Sequence, residues 1–153
     1  MILSVFGANK KLFHKILMRN KLTKNMSIKD LPPIVIYDDR CYLCSRFARG
    51  VSVLARRKIL IVGHYSELGM KIKSKIFPND YNSTRMFWFV TGKVAYGGRA
   101  AILPLLCFIL SNKSTKFIPP EIPAECDQNC KTPKAFFRRT GSILSNSEKI
   151  ILK

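Results

Sequence analysis

The fold of this chain is decided in the stretch Ile34-Val35-Ile36-Tyr37-Asp38-Asp39-Arg40-Cys41-Tyr42-Leu43-Cys44. Ile34 to Tyr37 are all β-branched or aromatic, follow Pro32-Pro33 and are closed by Asp38-Asp39, so they read as a short strand buried on both faces. Phe47, Val51 and Leu54 then recur at helical spacing, with Arg46, Arg49, Arg56 and Arg57 interspersed, and predict a helix from about Tyr42 to Arg57 whose apolar face packs on a sheet. Ile59-Leu60-Ile61-Val62 is a second apolar run, ended by Gly63. Ser66 is a fair N-cap for a short second helix beginning Ser66-Glu67-Leu68-Gly69-Met70. Strand, helix, strand predicts a parallel βαβ unit.

Further along the pattern changes. Pro78-Asn79-Asp80 and Asn82-Ser83 mark a loop, Met86-Phe87-Trp88-Phe89-Val90 is strongly strand-like, Thr91-Gly92-Lys93 is a turn, and Val94-Ala95-Tyr96 returns as the hairpin partner. Gly97-Gly98 closes the pair, and Arg99 to Leu110 reads as a mostly buried helix that Pro104 kinks or divides. After Ser111 the prolines 119, 120 and 123 break regular structure. The expected class is α/β: a βαβ unit, a β-hairpin and a helix, with an irregular C-terminal extension. The expected organisation is a basic arm over residues 1–31, one domain over 32–115, and a Pro- and Cys-containing extension over 116–153.

One domain with tails also fits 153 residues. A composition 47% hydrophobic and 24% charged excludes wholesale disorder, and the longest apolar run, Ala100 to Leu110, is far short of the roughly 20 residues that span a bilayer. Net charge is +18, from 27 basic and 9 acidic residues. That excess first suggests a polyanionic partner, because bound cations release counterions from nucleic acid and are drawn to anionic membranes. The charge is spread, however, and neither helix-turn-helix spacing, nor zinc-finger spacing, nor interleaved basic and aromatic residues accompany it. No sequence-specific nucleic-acid partner is expected, only non-specific attraction to anionic surfaces. Leu12, Phe13, Ile16 and Leu17 share a face ringed by Lys10, Lys11, Lys15 and Arg19, a basic amphipathic segment able to lie on a membrane. The early apolar stretch precedes the positive charges and is too short for a secretory signal, so the expected compartment is the cytoplasm, with membrane association through the arm.

The chemistry lies in the cysteines, Cys41, Cys44, Cys107, Cys126 and Cys130. An odd number without a secretory signal argues for thiols that react or bind metal rather than for a disulfide framework. Cys41-Tyr42-Leu43-Cys44 falls where a strand gives way to a helix, and a C-x-x-C at such a junction is a thioredoxin-like redox motif. The helix N-terminus offers unpaired N–H groups and partial positive charge, both of which stabilise a thiolate. Arg40 and Arg46 add charge nearby. Cys41, at the helix start and the more exposed of the pair, is the expected nucleophile, and Cys44, one turn on, the resolving thiol. Asp38 is expected either to cap the helix or to relay a proton during resolution.

The segment Tyr37-Asp38-Asp39-Arg40-Cys41-Tyr42-Leu43-Cys44 also resembles the tyrosine-aspartate-glycine, C-x-x-C signature of the DCC family of predicted thiol-disulfide oxidoreductases. Asp38, Cys41 and Cys44 match it, and Asp39 stands where that family has glycine. Gly92-Lys93-Val94 to Gly97-Gly98-Arg99-Ala100-Ala101 looks like the family's second block, where a hairpin leads into an apolar helix. The resemblance covers about Pro33 to Leu110 and implies a thioredoxin-like fold and dithiol chemistry. The expected activity is exchange with a disulfide-bearing protein or small thiol, with no cofactor and no metal. Asp39, Arg40 and Arg46 are then supporting residues around the dithiol.

The other cysteines supply alternatives. Cys126-Asp127-Gln128-Asn129-Cys130 can form a second redox pair, or join Cys41 and Cys44 as four thiolates around a structural zinc in a binding module. A basic nucleic-acid or membrane-surface adaptor is the remaining alternative. Cys107, inside an apolar run, reads as a buried, inert thiol, and His14 and His64 as isolated surface or loop residues.

Overall fold

In the computed structural model of the chain, residues 31–111, 134, 141 and 145–152 are described. The run after Pro33 forms strand β1, Ile34–Tyr37, all four residues of which are buried. Helix α1 follows over Tyr42–Leu54, then β2 over Leu60–Gly63, helix α2 over Glu67–Ile76, a single 3-10 turn at Ser83–Arg85, the hairpin strands β3, Trp88–Val90, and β4, Val94–Gly98, and helix α3, Arg99–Leu110. A last strand, β5, spans Ser147–Ile151.

The strands make one mixed sheet in the order β2-β1-β3-β4-β5. β1 is parallel to β2, with Tyr37 opposite Gly63, as a strand-helix-strand crossover requires. The next three neighbouring pairs are antiparallel, with Ile36 opposite Trp88, Phe89 opposite Tyr96, and Ala95 opposite Ile150. The architecture is therefore mixed α/β. The C-terminal extension is not irregular throughout: β5 belongs to the sheet although it lies beyond residues 32–115.

Side chains alternate across a strand, and here each set finds its own cover. Ile34, Ile36, Leu60, Val62, Trp88 and Val90 meet Ile72 and Ile76 of α2 on one face. Val35, Tyr37, Ile61, Phe87 and Phe89 meet Ala48 and Val51 of α1 and Ala101 and Leu105 of α3 on the other. Burial on both sides is why these strands are continuous apolar runs rather than alternating ones. Full burial of each such side chain stabilises the fold by about 1.5–3 kcal/mol. Trp88 is tied in further by its indole N–H, which donates to the Ser83 carbonyl at 2.8 Å, and by the edge-on ring of Phe77.

Two helices face differently from expectation. α1 buries Ser45, Ala48, Val51 and Ser52, while Leu54 is exposed and Phe47 lies at the rim against Phe87, ring centroids 5.0 Å apart. α3 is unbroken through Pro104, but it is not mostly buried. It touches the core through Ala101 and Leu105, and leaves Leu103 70% and Leu110 83% exposed. Cys107 is exposed as well, correcting the expectation of a buried thiol, because one-sided packing turns part of an all-apolar helix outward. Gly98 makes the β4-to-α3 turn at φ 55° and ψ −128°, a conformation open essentially to glycine alone. No helix among the described residues is long and apolar enough to cross a membrane.

Candidate functional site at the C-terminal ends of β1 and β2

β1 and β2 run parallel and end together, so the loops leaving them converge. The loop after β1 carries Asp38 to Cys41, and the loop after β2 carries His64 to Ser66. Cys41 is the N-cap residue of α1, in extended backbone conformation, with no capping bond from its side chain. Its N–H donates to the Asp38 carbonyl at 3.1 Å and its carbonyl accepts the Ser45 N–H at 2.9 Å, the first bond of the helix. Asp38, almost fully buried, accepts the Arg40 N–H on Oδ1 at 3.1 Å and so shapes the turn into the helix. The N-cap position expected for it belongs to Cys41.

The two thiols differ in access, and in the opposite sense to the expectation from sequence. Cys41 is 0% exposed, whereas Cys44, in the first turn of α1, is half-buried and packs at the edge of the Val35–Phe89 core. The tight turn Asp38–Arg40 returns the N-cap residue to the core layer at the end of the buried strand β1, whereas a residue three positions on has rotated towards the rim. Neither is disulfide-bonded in the structure.

Asp39 bridges the loops. Its Oδ1 accepts the Tyr65 N–H at 3.1 Å, and its side chain lies across Gly63, where a Cβ would collide with the carboxylate. A Cβ at Gly69 would in turn strike the Gly63 carbonyl, so α2 seats directly on this loop. Ser66 caps α2 as expected, accepting the Gly69 N–H at 3.0 Å. Above the loops the Arg40 guanidinium lies 4.0 Å from the centroid of the Tyr65 ring, and the Lys73 ammonium lies 5.8 Å from the same ring. Arg46 lies over Tyr42 at 5.7 Å, one helical turn apart.

His64 is fully buried, not a surface residue. Its backbone N–H donates to the Tyr37 carbonyl at 2.8 Å, and its ring Nε2 lies 3.1 Å from the Met86 carbonyl, which only accepts, so Nε2 carries the proton. Nδ1 is buried with no hydrogen-bond partner. Burial holds the His64 pKa below the usual histidine value and Lys73 adds to this, while the Met86 bond and the Asp38 and Asp39 carboxylates oppose it. Burial also pushes the Tyr37 hydroxyl up to about 12, with Asp39 adding to the shift and Arg49 opposing it. Lys73 is drawn below the ordinary lysine value by its own partial burial, again opposed by Asp39.

The structure thus brings Asp38, Asp39, Arg40, Cys41 and Cys44 into one loop and first helical turn, with Arg46 on the next turn. Cys126, Cys130, His14 and the basic arm lie outside the described residues. Among the described residues no three His, Cys, Asp or Glu side chains converge on a metal position. His64, Tyr65, Lys73 and Tyr37 belong to the same constellation and were not singled out for it from sequence. The signal for the first two was positional, since residues directly after a second parallel strand share an end with those after the first. No family model, curated protein or solved structure matches this chain.

Proposed function

We propose that the chain is a thiol-disulfide oxidoreductase of thioredoxin-like fold, akin to the DCC family, working through Cys41 and Cys44. The observation that carries this reading is the placement of the pair: Cys41 at the N-cap of α1, three residues of loop beyond the buried strand β1, with Cys44 in the first helical turn, half-buried and the more accessible of the two. A parallel βαβ unit followed by an antiparallel hairpin and a helix supports the fold assignment. Both sulfurs lie at the positive end of α1, which favours their thiolates, and only a thiolate attacks a disulfide.

Access assigns the order of events. The Cys44 thiolate attacks one sulfur of the substrate R–S–S–R, the substrate bond breaks, and the first RS⁻ leaves and takes a proton from water. Cys41 then gives up its proton, for which Asp38 is the nearby carboxylate, and attacks Cys44 Sγ. That breaks the mixed disulfide, releases the second RS⁻ to be protonated, and leaves a Cys41–Cys44 disulfide. Two electrons and two protons pass from the dithiol to the substrate.

Trapping tests the order. With an excess of 5,5′-dithiobis(2-nitrobenzoate) at limiting time, Cys41→Ser forms a stable mixed disulfide at Cys44 quickly, and Cys44→Ser reacts at Cys41 slowly. If neither variant forms an adduct at its remaining cysteine of the pair and the wild-type dithiol cannot be oxidised reversibly, the redox reading fails.

A further inference from the structure

Helices α1 and α3 cover one side of the sheet, and their outer surface is unlike that of α2 on the other side. Ala48, Val51 and Ala55 of α1 meet the same core layer as Ala101 and Leu105 of α3, so both helices turn their far sides in the same direction. On α3 that far side is a line of exposed residues, Arg99, Leu103, Leu106 and Leu110, spaced i, i+4, i+7 and i+11 and opposite Ala101 and Leu105. On α1 it holds Val53 and Leu54 with Arg46 and Arg49. Six of the nine large apolar side chains exposed among the described residues belong to these two helices, which makes them a patch rather than the scattered exposure of an ordinary surface.

Charge divides in the same way. Neither α1 nor α3 contains an acidic residue, and Arg46, Arg49, Arg56, Arg57 and Arg99 are all exposed. Arg56 and Arg57, just beyond α1, hold φ values of 50° and 59°, a left-handed conformation where glycine or asparagine is usual, so the chain carries two cations through a turn that does not favour them. α2 instead exposes both signs, Glu67 with Lys71 and Lys75, and a single large apolar side chain, Met70. Leucines ringed by arginines, with no acid among them, disfavour two occupants. A second copy related by a two-fold axis would set this cationic face against itself. A nucleic-acid backbone would match the arginines and leave the leucines without apolar cover.

We propose that the outer face of α1 and α3 docks on an anionic phospholipid bilayer, with Leu103, Leu106 and Leu110 at the boundary between headgroups and acyl chains and the arginines on lipid phosphates. α3 has 12 residues and a length of about 18 Å, so it lies in the plane of the surface and does not cross it. The inference is independent of the dithiol reading.

The test is sedimentation of the full-length protein with sucrose-loaded vesicles, either pure phosphatidylcholine or phosphatidylcholine with about one third phosphatidylglycerol. Partition into the anionic vesicles exceeds that into the neutral ones by at least about tenfold, and falls at about 0.5 M NaCl. Leu103→Asn with Leu110→Asn lowers it by at least about tenfold, whereas Met70→Asn on α2 leaves it unchanged. Arg99→Gln lowers it about fivefold, and Lys71→Gln, which removes the same charge from the opposite face, by less than about twofold. A direct readout that does not depend on weakened binding uses tryptophan as a probe. Emission from Leu103→Trp is quenched by brominated phosphatidylcholine in the anionic vesicles, while Met70→Trp and the buried Trp88 are not quenched. Binding that survives the double leucine change, with no quenching at position 103, assigns attachment to another part of the chain and overturns the proposal. Absence of binding to anionic vesicles overturns it too, including where the leucine face instead drives self-association or the protein is retained by single-stranded RNA.

Discussion

Helices α1 and α3 pack side by side on the same face of one sheet, and each carries an accessible cysteine, yet the two thiols stand in opposite surroundings. Cys44 lies in the first turn of α1, at the end of the molecule where two parallel strands stop and where buried polar groups and stacked cations collect. Cys107 lies in the last turn of α3, on an outward apolar surface between Leu103 and Leu110. Residue type is the same, but position relative to the helix ends and strand ends is not. A thiolate at the positive end of a helix dipole is favoured. Exposure alone therefore does not nominate a reactive thiol.

The largest effect expected from this contrast is on exchange. Cys44→Ser lowers the rate of disulfide reduction by at least about a hundredfold, because the accessible attacking thiolate is gone, while Cys107→Ser changes it by less than about twofold. Stopped-flow measurement of thiol release on the two variants checks both. Comparable losses would break the contrast.

Stability separates the inner and outer faces of α3. Leu105, 4% exposed in the core, costs about 2–4 kcal/mol when changed to Ala, because a cavity is left between α3 and Val35, Phe87 and Phe89. Leu103→Ala, on the solvent side, shifts stability by no more than about 0.5 kcal/mol. Urea unfolding with matched slopes measures the difference.

The third contrast is in pH, since titratable groups are buried at the α1 end and the α3 contacts are apolar. Tyr37 is raised in the fold from 10.0 to about 12, so its neutral form is the one the fold favours. Its contribution is present below pH 10 and is lost as pH rises through 10 towards 12, a loss on the order of 2 kcal/mol that Tyr37→Phe removes. Leu105→Ala retains that alkaline loss, which shows that it does not arise at α3.

The smallest expected effect is at His64, whose pKa is lowered in the fold. The unfolded chain then binds a proton that the folded chain refuses, so this contribution is present above 6.5 and is lost as pH falls from there towards the lower folded value. His64→Gln, which keeps a donor for the Met86 carbonyl, flattens the acid side of the stability profile. An unchanged profile would show that His64 is protonated freely in the fold.

Much of this geometry was legible in the sequence because it is local. Strand β1, the Ser66 cap, the Thr91-Gly92-Lys93 turn and the limits of α3 each rest on a few adjacent residues whose conformational preferences agree. β5 was not legible. Ser147-Glu148-Lys149-Ile150-Ile151 is polar at three of its five positions, and only its distant partner β4 makes it a strand, placing Ile150 opposite Ala95 on the core side. Burial departs from the expectation of the sequence wherever it depends on what lies across the sheet. His64 is enclosed because the chain returns through Met86 above it, Cys107 is exposed because nothing else in the described fold packs on that side of α3, and Cys41 is covered because β1 carries the core layer up to the N-cap. For the site itself, the sequence revealed the C-x-x-C and its flanking charges, which are contiguous. Tyr65 and Lys73, which come from the β2 loop and from α2, join only through the parallel pairing of β1 with β2.

The central claim is that Cys41 and Cys44 form a reversible redox couple. It is tested most directly by equilibrating the protein across graded ratios of reduced to oxidised dithiothreitol, alkylating the remaining thiols, and mapping the products by mass spectrometry. The account predicts that two thiols are lost together in one reversible transition and that the oxidised form carries a Cys41–Cys44 disulfide. Retention of both thiols under oxidising poise, or a transition that maps to other cysteines, would contradict it.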